Sequence, residues 1–416
     1  MIGINENSTT DELVASARQS MSLNFRQAPI VFMRGQGVHL FDRNDKRYID
    51  FVSGIAVMGM GHSHPRIVEA ATKQARELWH VSNLYFNEAQ ILLSNMLSDR
   101  YGDGRVFLCN SGAEAVEAAL KLARRYAFVK HGDTKRNEFV SFEKSFHGRT
   151  LGALSATGQP KYHTGFEPII PGFKYARFND IESVKELVNS NTCAVIVEPI
   201  QAEGGLILPQ PGFLSAIKEI CEERGALLIL DEVQVGSGRT GTFFAYEQEG
   251  VKPDIVTLAK ALGAGIPIGA MIANQEASIG FQPGSHGSTF AGNALAARIA
   301  QVFLEVMEEE NLLGHVQEVG AYMGKELNAL CERFDCLDSA RGRGFIWGLA
   351  FNKEWAPETV ALAMKKGLLV NKLNTHTIRL LPPLISERSH VDAALAILAN
   401  CLTEISNKPP GDGNIR

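Results

Sequence analysis

Ala226-Leu-Leu-Ile-Leu230-Asp231-Glu232-Val233-Gln234 is an unbroken apolar run that stops on two acids. A strand with one wet face alternates apolar and polar residues. Leu227-Leu228-Ile229-Leu230 does not alternate, so it reads as a strand covered on both faces. Similar short runs stand at Arg105–Cys109, Phe139–Phe142, Cys193–Val197, Asp254–Leu258 and Ile268–Ala273. Helical patterns lie between several of them, at Ala113–Val129 and Phe213–Arg224 for example. Strand and helix in alternation predict an α/β fold with a mostly parallel central sheet. Ligands of open α/β sheets sit beyond the carboxyl ends of the strands, which makes Asp231 a candidate functional residue.

The chain ends read differently. Residues 1–20 are polar and suggest a loose or helical arm. Pro29–Met33, Val38–Asp42 and Tyr48–Phe51, punctuated by Gly35, Gly37 and Asn44-Asp45, read as an antiparallel meander. Residues 292–334 read as one long helix, followed by a strand at Phe345–Phe351, a helix at Thr359–Lys366, a strand at Thr377–Leu381 and a helix at Val391–Ile405. The tail from Lys408 is expected to fray. At 416 residues the chain exceeds one compact core. The expected division is 1–52 as an arm and part of a small α+β domain, 53–300 as the large domain, and 301–416 as the rest of the small one.

Composition narrows the function. Hydrophobic residues at 45% and charged residues at 21% exclude a disordered chain, a coiled coil and a collagen. A net charge of −5 argues against a dedicated nucleic-acid binder. No apolar run approaches a membrane span, and the N-terminus lacks a signal-peptide pattern. The six cysteines include no C-x-x-C, so they read as reduced core residues of a cytoplasmic protein.

Several constellations bear chemistry. Asn110-Ser111-Gly112-Ala113-Glu114 follows a strand, opens a helix and has the spacing of a capping box, a setting suited to an anion. Lys260 is the only charge between Asp254 and Glu276, and its neighbours are apolar or glycine. Such surroundings lower an amine's pKa and free it for Schiff-base formation with an aldehyde. In Phe146-His147-Gly148-Arg149 an aromatic ring is available to stack and an arginine to clamp a carboxylate. Gly284–Asn293 is a hydroxyl-rich loop that suggests another phosphate contact. Rival readings lose their second half. Gly236-x-Gly238-x-x-Gly241 matches a dinucleotide fingerprint, the mark of a nucleotide-binding oxidoreductase, but the acid about 20 residues on is missing. Asp231-Glu232 resembles the acidic strand of a P-loop ATPase, but no G-x-x-x-x-G-K-[ST] accompanies it. His62 and His64 lack a third metal ligand, so no metal is expected. A lysine for an aldehyde, an acid for a ring nitrogen, a ring to stack and a helix start for a phosphate together describe pyridoxal phosphate.

Asn110–Ala113, Phe146–Thr150, Glu198-Pro-Ile-Gln201, Asp231–Gln234, Leu258–Gly265 and His286–Thr289, in this order, resemble the class III (ω-amino) aminotransferases. Within that class, Phe146–Tyr162 is most similar to the branch acting on acetylornithine. The resemblance implies a fold-type I homodimer with an active site shared between subunits. It implies that Lys260 bears the cofactor, Asp231 pairs with the ring nitrogen, Phe146 and Val233 sandwich the ring, and Gln234 reaches the 3-hydroxyl. Ser111, Gly112 and Ala113 would hold the phosphate with Thr289 of the other subunit. Arg149 would bind the far carboxylate of acetylornithine and the distal one of glutamate, and Arg379 the α-carboxylate of glutamate. Glu203 would mask Arg379 when the ω-amine is bound, and Ser288 would touch the acyl group. Ala202 stands where relatives often have glycine. The implied substrates are small amino and 2-oxo acids: N2-acetylornithine and 2-oxoglutarate, with succinylornithine, ornithine and N-succinyl-diaminopimelate as alternative amino donors.

Overall fold

The structure is a computed structural model that describes residues 5–132 and 134–407. The tail from Lys408 lies outside the described residues. Strands β1 (Phe32–Gln36), β2 (His39–Asp42) and β3 (Arg47–Asp50) form the expected meander. The central sheet takes β4 (Arg105–Cys109), β5 (Glu138–Phe142), β6 (Phe173–Ala176), β7 (Thr192–Val197), β8 (Leu227–Asp231), β9 (Ile255–Leu258) and β10 (Gly269–Ala273) in the order β4-β10-β9-β8-β7-β5-β6. All of its strands run parallel except β10, which is antiparallel to both neighbours. The remaining strands are β11 (Leu337–Arg343), β12 (Ile346–Phe351), β13 (Leu368–Leu369), β14 (Asn371–Asn374) and β15 (Thr377–Leu380). An antiparallel sheet orders them β11-β12-β15-β14, while β13 pairs parallel with β3 and so joins the two chain ends.

The unbroken apolar strands have a direct cause. Leu227 and Ile229 of β8 enter one core cluster, Leu228 and Leu230 the other. Ala194 and Ile196 of β7 divide from Val195 and Val197 in the same way. The first cluster is covered by the helix Gly112–His131, whose alanines let it lie close to the sheet. The expected single helix over 292–334 is two, Ala294–Glu309 and Leu312–Arg333, the first running across the 300/301 boundary. Asn311 adopts φ 47° and breaks the helix, a conformation asparagine tolerates. The segment 236–241 is followed by short 3-10 turns at Ala245–Glu249 rather than by a helix. It therefore offers no helix N-terminus to a dinucleotide, and that reading fails.

Candidate active site

Three chemistry-bearing residues stand just past the ends of adjacent parallel strands: Glu198 after β7, Asp231 closing β8, and Lys260 after β9. They line one cavity of about 360 Å³ together with Ser111, Gly112, Ala113, Phe146, Val233 and Gln234. Lys260 takes φ 46°, an uncommon conformation for a lysine and a local strain of the kind found at functional sites.

Asp231 is 5% exposed and fully engaged. Its Oδ2 meets His147 Nδ1 at 2.7 Å; its Oδ1 accepts from Val233 N and Thr257 Oγ1, each at 3.1 Å. His147 is thus part of the site through Asp231, and its buried Nε2 finds no partner among the described residues. Burial lowers the Lys260 amine to about 8, and Arg379 adds to the fall while Glu203 and Asp231 oppose it. The lysine keeps some surface because it faces the cavity, yet the walls strip water from its amine. Burial, and next the charge of Asp231, push the Glu198 carboxyl well above its usual range; Phe146 N–H donates to it at 3.0 Å.

Ser111 caps the helix Gly112–His131 by accepting from Glu114 N at 3.2 Å. The expected capping box closes one residue early. Glu114 Oε2 accepts from the backbone N–H of Asn110 at 2.7 Å, not from that of Ser111. A Cβ on Gly112 would lie 2.6 Å from Val233 Cγ1, so glycine is required for the helix start to approach the Val233 wall. The first-turn N–H groups of Gly112 and Ala113 have no intrahelical acceptor.

Arg379, on β15, is 1% exposed. Its Nη1 donates to Glu203 Oε1 at 2.5 Å and to Gln234 Oε1 at 2.7 Å, and Gln234 Nε2 donates back to Glu203 at 3.2 Å. Burial raises the Glu203 carboxyl, but Arg379 outweighs it and the net shift is downward. Gln234, expected at the cofactor's 3-hydroxyl, is tied into this triad while still lining the cavity. Arg149 lies on an exposed turn with its guanidinium 3.9 Å over the ring of Tyr162 and 5.4 Å from that of Phe146. Thr150 beside it is pinned by Glu117 at 2.6 Å. Ser288 Oγ accepts from Asn110 Nδ2 at 2.9 Å, which ties the 284–293 loop to the helix start, and Thr289 next to it is exposed. Sequence reasoning missed the roles of His147 and Glu198. Glu198 carried the signal already used for Asp231, an acid ending an apolar strand.

Known proteins resemble this chain over nearly its whole length. The acetylornithine aminotransferase of Aquifex aeolicus is 49% identical over 380 residues, 91% of this chain and 98% of that protein. A crystal structure of Toxoplasma gondii ornithine aminotransferase, with its active site partly occupied by PLP, superposes with a TM-score of 0.92 at 31% identity, covering 96% of this chain and 95% of that one. The acetylornithine aminotransferase of Elizabethkingia anophelis superposes at 0.86 with 32% identity, over 95% of this chain and all of that one. The pattern that defines "Aminotransferase class-III" matches residues 20–402, and the chain belongs to that family.

Proposed function

We propose that the protein transfers the δ-amino group of N2-acetyl-L-ornithine to 2-oxoglutarate. The products are N-acetyl-L-glutamate 5-semialdehyde and L-glutamate, a step of arginine biosynthesis. The observation that carries this reading is the buried Arg379 held by Glu203 and Gln234. An ω-amino donor presents its amine with no carboxylate beside it, so a bare arginine there would be an unpaired buried charge. Glutamate presents an α-carboxylate that must find one. A carboxylate that covers the arginine for one substrate and yields it to the other serves both. The names of the Aquifex aeolicus and Elizabethkingia anophelis relatives support the acetylated donor. The likeness to ornithine aminotransferases keeps free ornithine as the second reading.

The residues present fit pyridoxal phosphate. Lys260 supplies the amine, Asp231 the carboxylate for the ring nitrogen, and Phe146 and Val233 the walls. The N–H groups at Ser111, Gly112 and Ala113 suit the phosphate, and the absent Cβ of Gly112 lets that helix start lie against Val233. When bound, the cofactor supplies an aldehyde for the substrate amine and an electron-withdrawing protonated ring. Asp231 Oδ2, steadied by His147, holds that ring proton. Lys260 Nζ, lowered to about 8 and so uncharged part of the time, would take a proton from the substrate carbon that bears the amine and hold it for return on the far side of that nitrogen. Arg149, its guanidinium over the Tyr162 ring, binds the far carboxylate of either substrate, and Ser288, tied to Asn110, contacts the acyl group.

We further propose a cytoplasmic homodimer. Leu84, Tyr85 and Phe86 are 83%, 71% and 90% exposed, too apolar a strip to leave in water. Asn83 beside it binds Ser288 O and Ala291 O, so a partner covering the strip would stand at the Thr289 loop. The division at 52/53 and near 300 is part of the same reading, with both chain ends meeting at the β3–β13 pair. Its six free cysteines suit a reducing compartment. Single-turnover absorbance kinetics with acetylornithine, succinylornithine and ornithine test the substrate. Acetylornithine is expected to give the highest kcat/KM, and a preference for either other amine would overturn the assignment.

A further inference from the structure

Arg239, like Arg379, is among the largest fully buried side chains, but unlike Arg379 it forms no ion pair among the described residues. Burial alone pushes its guanidinium down to about 9. Its Nε and Nη2 have no acceptor among the described residues. An uncompensated buried cation is costly, so its position calls for a physical reason.

The reason lies in what Nη1 reaches: the carbonyls of Phe345, at 3.1 Å, and of Pro382. Strands β12 and β15 pair antiparallel with Trp347 opposite Leu380 and Gly348 opposite Arg379. Continued two residues outward, that register sets Phe345 against Pro382. Proline has no N–H, and the Phe345 N–H turns instead to the Arg239 carbonyl, so at this point neither opposed carbonyl has a ladder donor. Arg239 supplies the missing donor and grips both opposed carbonyls. Its own carbonyl accepts from Phe345 N at 2.9 Å, so the grip is made from side chain and backbone alike. Gly344 completes the fit, since a Cβ there would lie 2.7 Å from Arg239 O.

Pro382 is three residues beyond Arg379, and Arg239 is five beyond Gln234. We propose that Arg239 is a positioning residue for the α-carboxylate site: it fixes the end of the Arg379 strand against the segment that carries Val233 and Gln234. The inference rests on Arg379 being the α-carboxylate site. It makes Arg239 matter to glutamate and 2-oxoglutarate, which use Arg379, and little to an ω-amino donor, which does not.

A double-mutant cycle tests this on the holoenzyme. R239Q, R379A and the double variant are compared by single-turnover glutamate titration, with acetylornithine titrated in parallel and melting curves recorded. R239Q is expected to weaken apparent glutamate binding on the order of tenfold, as sub-ångström misplacement of a binding group does. It should leave acetylornithine nearly unchanged and add nothing in the R379A background. Additive penalties, equal losses for both substrates, or no effect of R239Q each overturn the inference. Should R239Q fail to fold, R239K, which keeps the charge but not the two-carbonyl grip, is judged by the same outcomes. A wild-type-like R379A baseline would sink the assignment of Arg379 itself and the inference with it; that failure is visible before Arg239 is touched.

Discussion

Replacing Glu203 by glutamine removes a charge and leaves the shape. In the structure Arg379 has one ionic partner, Glu203 at 2.5 Å, and two neutral partners, Gln234 at 2.7 Å and Asn371 at 3.3 Å. For glutamate to bind, its α-carboxylate must displace the first. A charge-assisted hydrogen bond contributes about 1.5–3 kcal/mol. The Glu203 side chain is 26% exposed, so the lower end applies. Without that competitor glutamate is expected to bind more tightly by about 1.5 kcal/mol, or about tenfold. The acetylornithine half-reaction moves the other way. Its complex now contains a buried guanidinium with no counter-charge, and kcat/KM is expected to fall about tenfold. The preference for glutamate over acetylornithine then changes about a hundredfold in total. Stopped-flow absorbance with each substrate measures the two arms separately. Equal changes in both arms, or weaker glutamate binding, would refute the masking role of Glu203.

Gly112→Ala places a methyl group 2.6 Å from Val233 Cγ1, so pyridoxal phosphate is expected to bind at least tenfold more weakly by equilibrium dialysis, with the melting temperature of the apoprotein little changed. Lys260→Met is expected to abolish turnover and to raise the apoprotein's stability at pH 7. The amine pKa is depressed to about 8, so below that pH the fold must hold a buried cation; the gain, at most about 3 kcal/mol, shrinks as pH rises toward 10.5, and a pH-independent difference in denaturant melts would contradict it. Glu232 is buried with its carboxyl raised to about 8, chiefly by burial, although Ala245 N and Tyr246 N donate to it. A raised acid pKa removes stability as pH climbs from about 4.5 to 8, so Glu232→Gln should flatten that decline, and an unchanged pH–stability curve would count against it.

The parts of this fold legible in sequence are those whose cause is local. An apolar run that ends on an acid announces a buried strand and a charge at its end, which is why Asp231 was readable. Lys260 stood out because its chain neighbours are apolar or glycine, whereas the charges it meets in space, Glu203, Arg379 and Asp231, come from distant segments. The edge strand Phe173–Ala176 carries a lysine and is only partly buried, so it lacks the apolar run that marks its neighbours. The helix Glu88–Tyr101 buries Ala89, Leu93, Leu97 and Tyr101, a stripe at four-residue spacing that the exposed Ile91 and Leu92 blur. The break at Asn311 follows Glu308-Glu309-Glu310, residues a helix accommodates, so no glycine or proline marks it. His147 meets Asp231 across 84 residues and Arg239 meets Pro382 across 143, and no local pattern encodes either contact.

The charges in the site explain why one arginine lies outside it. Inside are three carboxyl groups, Glu198, Glu203 and Asp231, with two cations, Lys260 and Arg379. Burial and Asp231 drive Glu198 toward its neutral form, which leaves two anions against two cations. A substrate with a second carboxylate would upset that balance unless it brought its charge to a cation not already counted. Arg149 is that cation: it forms no ion pair among the described residues, and its guanidinium carbon sits 3.9 Å from the centre of the Tyr162 ring. Stacking on a ring leaves the guanidinium's in-plane N–H fork free for a carboxylate, which an ion pair would have used. Tyr162→Ala should therefore raise KM for acetylornithine and glutamate together, by several-fold, with kcat nearly unchanged. A rise confined to glutamate would place the shared carboxylate somewhere other than Arg149.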